Sequence, residues 1–315
     1  MTGGAGYIGS HIMKMLLEKS RGRVVSLDKK ITPNQKNIKK GIFLKGSVGD
    51  SALTERIFKK YKINIVMHLA GLIRVEESMQ NPDPYFRNNV AEGIRLLESM
   101  RRCGVKKMIF ASSAAIYGLP REKFLKEDHL LHPVNVYGLT KLMFENTLRF
   151  YNKVYGMDSI SFRFFNVAGA DSSGMLKEYH SPETHLVPCA LKNIVAKKPV
   201  CVFGKDYKTP DGTCIRDFIH VNDISSAFLL AVPRILGNNV CESFNLGSGK
   251  GYSVLDVVSA CGRQMKISPK ISWCPKRAGD PGILVARSKA ANRILKWKPK
   301  YNLDEMVSTA VKSLL

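Results

Sequence analysis

Tyr137 and Lys141 are spaced i, i+4, which sets a phenol and an ammonium on one face of a helix. An ammonium near a phenol favours the phenolate and lowers its pKa. A tyrosine tuned in this way can take the proton of a substrate hydroxyl while hydride leaves the adjoining carbon. With eleven tyrosines in a lysine-rich chain the spacing arises by chance, so its placement has to carry the meaning. The pair opens the helical pattern Tyr137 to Tyr155, which follows the apolar run Lys107-Met108-Ile109-Phe110-Ala111. That run ends in Ser112-Ser113, and Ser113, at the carboxyl end of a strand, can hydrogen-bond the same substrate oxygen. A hydride acceptor has its own signature at the start of the chain. Gly3, Gly6 and Gly9 form a GxxGxxG loop, and Ile8, Ile12, Met15 and Leu16 recur behind it at helical spacing. Such a loop leaves backbone N–H groups and a positive dipole end free to hold a pyrophosphate. Val24-Val25-Ser26-Leu27 then reads as a strand ending in Asp28, where a dinucleotide fold places the carboxylate that binds a ribose 2′-hydroxyl. NAD is the cofactor this pattern predicts.

Those residues need a frame to hold them. Ile42-Phe43-Leu44 reads as a strand, Ala52 to Lys60 as a helix, and Ile63 to Leu69 as a buried strand running into Ala70-Gly71. Asn88 to Cys103 is a long helix with Val90, Ile94, Leu97 and Met100 on one face, and Ser159 to Phe165 is a further strand. This alternation predicts an α/β fold with a doubly wound parallel sheet. From about Gly169 the rhythm breaks into Pro- and Gly-punctuated segments, predicting a smaller lobe over the carboxyl ends of the strands. The expected division is residues 1–168 for the dinucleotide and 169–315 mainly for the substrate, the two interleaved. Only Met1 and Thr2 precede the glycine loop, so the first, central strand is expected to be truncated, with loss of stability and of cofactor grip.

Composition excludes little and colours the rest. No apolar run reaches membrane-spanning length, and no signal peptide is visible. Seven cysteines, odd in number and without a C-x-x-C pair, predict free thiols in a reducing, cytoplasmic setting and no metal site. The net charge of +23 would attract anions: a nucleotide sugar, a dinucleotide, or RNA. No lysine cluster is interleaved with aromatics as a single-strand platform would be. A basic RNA-binding protein on a dehydrogenase-like fold is the alternative the charge leaves open.

The motifs also form a familiar set. Thr2 to Ser10, Ala70-Gly71, Ser112-Ser113-Ala114-Ala115-Ile116-Tyr117-Gly118, Tyr137-Gly138-Leu139-Thr140-Lys141, Arg163-Phe164-Phe165-Asn166 and Arg216-Asp217-Phe218-Ile219-His220-Val221 resemble the UDP-glucose/UDP-galactose 4-epimerases, within the extended short-chain dehydrogenase/reductases. The similarity continues through Asn245-Leu246-Gly247, Ser253 to Val258 and Arg277-Ala278-Gly279-Asp280. It implies a Rossmann sheet, a 4-keto route between UDP-glucose and UDP-galactose, and Ser113, Tyr137 and Lys141 as catalytic residues. Cofactor contacts are implied at Tyr7, Ile8, Asp28, Val48, Leu69, Ala70, Asn89 and Phe165, joining Gly3, Gly6, Gly9, Gly71 and Ser112 of the motifs. UDP-sugar contacts are implied at Asn166, His185, Leu186, Phe203, Arg216, Arg277 and Asp280, with Ser113 at the sugar. Arg216 and Arg277 offer planar forks suited to a diphosphate, and Phe203 can stack on uracil. Ala114 and Ala115 stand where related dehydratases carry an Asp-Glu pair, so the resemblance implies hydride return rather than loss of water. UDP-N-acetylhexosamine and UDP-pentose are the alternative substrates, and a homodimer is expected. Ser47 replaces an aspartate that many members use at adenine.

Overall fold

The computed structural model describes residues 1–20, 22–120, 122–180, 182–277 and 279–314; Ala278 of the Arg277–Asp280 motif lies outside the described residues. The glycine loop runs into α1 (Tyr7–Lys19), then β1 (Val25–Asp28), a short α2 (Asn34–Asn37) and β2 (Ile42–Lys45). Next come α3 (Ser51–Tyr61), β3 (Ile65–His68), α4 (Val75–Gln80), α5 (Asp83–Tyr85) and α6 (Glu92–Arg102). They are followed by β4 (Lys107–Ser113), β5 (Phe124–Leu125), α7 (Val136–Tyr155), β6 (Asp158–Phe164) and β7 (Asn166–Ala168). The remainder comprises α8 (Leu186–Val195), β8 (Val200–Phe203), β9 (Ile215–His220), α9 (Val221–Ile235), β10 (Cys241–Leu246), β11 (Gly251–Ser253), α10 (Val254–Met265), β12 (Ile271–Cys274), β13 (Ile283–Ala286), α11 (Lys289–Leu295) and α12 (Leu303–Leu314).

β2 pairs in parallel with β1, and β3, β4, β6 and β10 follow one another in parallel. The two halves are joined through Thr2, which bridges Leu27 of β1 and His68 of β3. Thr2 N donates to Met67 O at 2.9 Å and Thr2 O accepts from Leu69 N, while Met1 O accepts from Leu27 N and the Met1 amine donates to Val25 O at 2.6 Å. Met1 and Thr2 thus stand where the central strand was expected. Below them Val25, Ile57, Phe58, Ile63 and Val66 line a cavity of about 20 Å³.

Helices cover both faces, as parallel strands require. On one side α1 and α9 bury Ile12, Leu16, Phe228 and Ala231 against Ile160, Phe162 and Phe244, with Trp297 closing the cluster. On the other, Leu96, Leu97 and Met100 of α6 and Phe144 of α7 pack on Val66, Met108 and Phe110. The second lobe carries strands in the order β11-β9-β13-β5, with β7 beside β9, and a separate parallel pair β8–β12. β10, late in the chain, belongs to the first sheet, and β5, early in it, belongs to the second.

Most predicted bounds fall within two residues of the observed ones. The helix predicted from Asn88 differs in kind: Phe86–Ala91 form a π-helical turn before α6. There Asn89 turns inward and holds Leu72 by both backbone groups, accepting from its N–H at 2.8 Å and donating to its C=O at 2.9 Å. No described helix is long and apolar enough to cross a membrane.

Candidate active site

The glycine loop is shaped by close approach. Gly3 has φ +72°, and a Cβ there would stand 2.6 Å from Ala70 N, so neither the conformation nor the space admits a side chain. Helix α1 starts from Gly6 without a side-chain cap, and the N–H groups of Tyr7, Ile8 and Gly9 meet no acceptor among the described residues. These are the donors a helix N-terminus offers to a phosphate. Asp28, at the end of β1, accepts from Ala5 N and Lys30 N, both at 3.2 Å, and so stands beside the loop. Tyr7 is placed differently from a cofactor-facing phenol. Its hydroxyl donates to Gly169 O at 2.5 Å and is buried, which pushes its pKa well up, with Glu178 and Glu183 adding to the effect. Val48 and Phe165 are likewise buried in apolar clusters. The structure therefore leaves Tyr7 its backbone N–H for a ligand, and packs Val48 and Phe165 as walls.

Ser113, Tyr137 and Lys141 converge. Asn135 caps α7 by accepting from Gly138 N at 2.8 Å, and this fixes where the helix begins and which face Tyr137 and Lys141 share. Ser113, at the end of β4, is near enough to the Tyr137 phenol to act on its acidity. Lys141 is buried, its Nζ donating to Ala111 O at 2.8 Å and lying 5.8 Å from the Tyr137 ring centroid. Burial brings the Lys141 ammonium down to about 8, opposed by the charge of Glu145. Burial also raises Tyr137 above its ordinary value, with Ser113 pulling the other way. The lowered phenol expected from Lys141 is thus not produced by these residues alone, because the ammonium is turned toward Ala111 O. Gly71 leaves an opening next to them: a Cβ would intrude to 3.2 Å from Asn89 Oδ1 and 3.5 Å from Lys141 Nζ. Unpaired amides, Asp28 and this side-chain-free floor fit a dinucleotide with its reactive end at Tyr137.

A second cluster gathers in the smaller lobe. Arg216, largely buried on β9, pairs with Asp280 at 2.5 Å, and Asp280 N returns to Arg277 O. The Arg277 guanidinium lies 4.0 Å from the Phe203 ring centroid, so one face of Phe203 is covered and stacking on uracil is confined to the other. Asn166 is exposed at the start of β7, and His185 and Leu186 open α8. His185 is held by Glu183 and Glu178. Burial opposes its protonation, but the two carboxylates prevail and lift it to about 10.

Several residues support the site through contacts that their motifs do not reveal, and Glu145 and Tyr207 stand in no motif. Glu145 accepts from Ser112 Oγ at 2.5 Å and from Arg163 Nε and Nη2 at 3.1 and 2.8 Å. Arg163 also donates to Tyr117 Oη, which donates to Asn245 Oδ1. Asp217, fully buried, accepts from the N–H groups of Ser248, Gly249 and Ala286, which ties β9, carrying Arg216, to β13. Burial lifts its carboxyl to about 6 against those bonds. Tyr207 Oη is buried without a partner beside Asp280, Arg216 and Arg277.

Comparison with known proteins agrees with this arrangement. A model of the NAD dependent epimerase/dehydratase family matches residues 1–247. The chain is 40% identical over 315 residues to the UDP-glucose 4-epimerase of Lactobacillus helveticus, spanning 99% of this chain and 95% of that one. It matches the crystal structure of UDP-glucose 4-epimerase from Brucella ovis in complex with NAD at a TM-score of 0.93, with 38% identity and 99% and 97% of the two chains covered. The structure from Bifidobacterium longum in complex with NAD+ and UDP gives a TM-score of 0.93, 35% identity and coverage of 99% and 96%.

Proposed function

The chain belongs to the NAD dependent epimerase/dehydratase family, and from that premise we propose how its site works as an NAD-dependent UDP-glucose 4-epimerase, interconverting UDP-glucose and UDP-galactose. When bound, NAD accepts and returns the hydride at C4 of the sugar. Tyr137 removes the proton of the 4-hydroxyl and returns it to the same oxygen once the keto sugar has presented the opposite face of C4 for hydride return, with Ser113 fixing the oxygen. Lys141 holds positive charge beside the phenol. Ala114 and Ala115, next to Ser113, have no group able to transfer a proton, so a 4-keto sugar meets nothing there that would eliminate water. Arg216 and Arg277 hold the diphosphate, and the free face of Phe203 takes uracil. The sugar must turn while UDP stays anchored; this assigns the anchor to the smaller lobe and the chemistry to residues 1–168.

The observation that carries this reading is Lys141, buried with its Nζ 5.8 Å from the Tyr137 ring centroid and bordering the gap left by Gly71 beside Asn89, with Ser113 at the end of the adjoining strand. Its test is incubation of the purified chain with UDP-galactose. UDP-glucose should form without added reductant, and denaturation should release NAD and not NADP, because the Asp28 carboxylate repels a 2′-phosphate. Turnover with no such interconversion would refute it, and parallel arms with UDP-N-acetylgalactosamine and a UDP-pentose rank the sugars.

The exposed face of α7 supports a homodimer as the assembly. Leu139, Met143, Phe150 and Val154 are exposed there, and at 3.6 residues per turn they fall within about 60° of one another. A stripe of that length asks for a second copy. The seven unpaired thiols suit a cytoplasmic enzyme.

A further inference from the structure

Glu178, His180, Glu183 and His185 lie in the segment between β7 and α8, and one ligand atom from each falls within 4.8 Å of all the others. The cysteine pattern predicted no metal, and nothing in the epimerase reading uses these four as a group. We infer that they form a binding site for a divalent transition-metal ion of the zinc class.

The spacing is that of a coordination shell. Zinc bound to nitrogen and carboxylate oxygen at about 2.0–2.1 Å in a tetrahedron sets its ligands roughly 3.3 Å apart. Here His185 Nδ1 is 2.8 Å from Glu178 Oε1 and 3.1 Å from Glu183 Oε1. His180 Nδ1 is 2.9 Å from Glu178 Oε1 and 3.7 Å from Glu183 Oε2. Three edges of the tetrahedron, through Glu178 Oε1 and Glu183 Oε1, are therefore in place to within about half an ångström, and His180 reaches Glu183 by its other oxygen. His180 supplies an independent sign. Its Nδ1 is shielded from solvent yet makes no hydrogen bond of acceptable geometry, despite facing two carboxylates. A lone pair aimed at a central ion needs no such alignment.

The carboxylates are also held as ligands should be. Glu183 Oε1 accepts from Thr184 N at 2.7 Å and from His185 N at 2.8 Å, which fixes its direction. Glu178 and Glu183 are largely buried, whereas the imidazoles reach solvent and leave a way in. Two imidazoles with two carboxylates suit zinc, cobalt or nickel; calcium and magnesium prefer oxygen alone. Entry of the ion sends the proton of each Nδ1 to solvent, so two positive charges replace two. The charges of Glu178 and Glu183 are felt at Tyr7, whose hydroxyl joins α1 to Gly169 O, so the cluster lies within electrostatic reach of the glycine-loop helix.

The test uses the full chain with its cofactor as purified, dialysed free of metal. Titration with Co²⁺ should give the visible bands of a tetrahedral ion at one equivalent, and Zn²⁺ should abolish them while Mg²⁺ does not. Glu178→Gln and His180→Asn should each weaken Co²⁺ binding by tenfold or more, with circular dichroism and bound NAD unchanged from the parent. Absence of the bands, or their persistence in folded forms of both variants, overturns the site.

Discussion

Removing Arg163 should unfold this protein more readily than removing both Arg163 and its partner. Arg163 and Glu145 have side chains only 1% exposed, and they face each other at 2.8 Å behind the catalytic strand. Breaking a buried pair by deleting one member leaves an uncompensated charge and costs about 3–5 kcal/mol. At roughly 2 °C per kcal/mol for a chain of this size, Arg163→Met or Glu145→Leu alone should lower Tm by about 6–10 °C. The double variant leaves neither member of the pair behind, and it takes the Glu145 charge from beside buried Lys141 just as Glu145→Leu alone does. It orphans the Ser112 hydroxyl and a share of the Glu127 carbonyl, which together cost about 2–4 kcal/mol. Tyr117 keeps its bond to Asn245. The two single losses sum to about 6–10 kcal/mol, so the coupling between the sites should be about 5 kcal/mol, and no less than about 2. Urea denaturation of the four proteins at one pH closes the cycle. A double variant as unstable as the sum of the singles would show that the pair is not a charge couple, and the reasoning would fail.

Tyr137→Phe should lower kcat by 10²–10⁴, about the range removal of a proton-transfer group gives, with UDP affinity within threefold of the parent by calorimetry. Lys141 holds its proton only to about pH 8, so kcat/KM should fall as pH rises through that value. Because the Glu145 charge raises the Lys141 pKa, Glu145→Leu should move this alkaline limb to lower pH in a pH–rate profile. In a chain starting at Met1, burial takes the amine from 8.0 down to about 5, so the unfolded state binds a proton that the folded state refuses. Stability should therefore drop by up to about 2 kcal/mol from pH 8.5 to 6, and a form acetylated at Met1 should lack that slope in urea titrations.

What the sequence revealed depends on how far apart the cooperating residues are. The loop Gly3 to Gly9, the helix behind it and Asp28 form one local unit, and each part fits its neighbour by spacing alone. The helix with Tyr137 and Lys141 is legible for the same reason, since Asn135 caps it three residues before Gly138. The support for those residues is assembled from Ser112, Tyr117, Glu145, Arg163 and Asn245, which no periodicity connects. Arg163 was visible as part of a motif, but its burial against Glu145 was not. Glu178, His180, Glu183 and His185 are close in sequence, yet only the fold of the segment turns their ligand atoms inward. The same holds for the phenol of Tyr137: spacing suggested help from Lys141, whereas the backbone carbonyl of Ala111 takes the ammonium.

At the start of the sheet, Met1 to Gly3 are held by backbone bonds on both sides. A missing central strand suggested two edges in need of partners, but Met1, Thr2 and Gly3 between them make five backbone bonds to the flanking strands β1 and β3 and the residues just beyond. Thr2 also meets His68 Nδ1 at 2.7 Å and receives Ala70 N, so it grips the carboxyl end of β3 by side chain as well as by backbone. The cavity beneath is about 20 Å³. At roughly 24 cal/mol per Å³, its void accounts for only about 0.5 kcal/mol. In a chain starting at Met1, the stress at this end of the sheet therefore lies less in lost packing than in the buried amine, which donates to Val25 O while burial opposes its charge. Because Gly3 follows at once and donates to Leu27 O, the aim of the glycine loop is set by these same bonds. A change that loosens Met1 should be felt first as weaker cofactor retention, and only afterwards as a lower melting temperature.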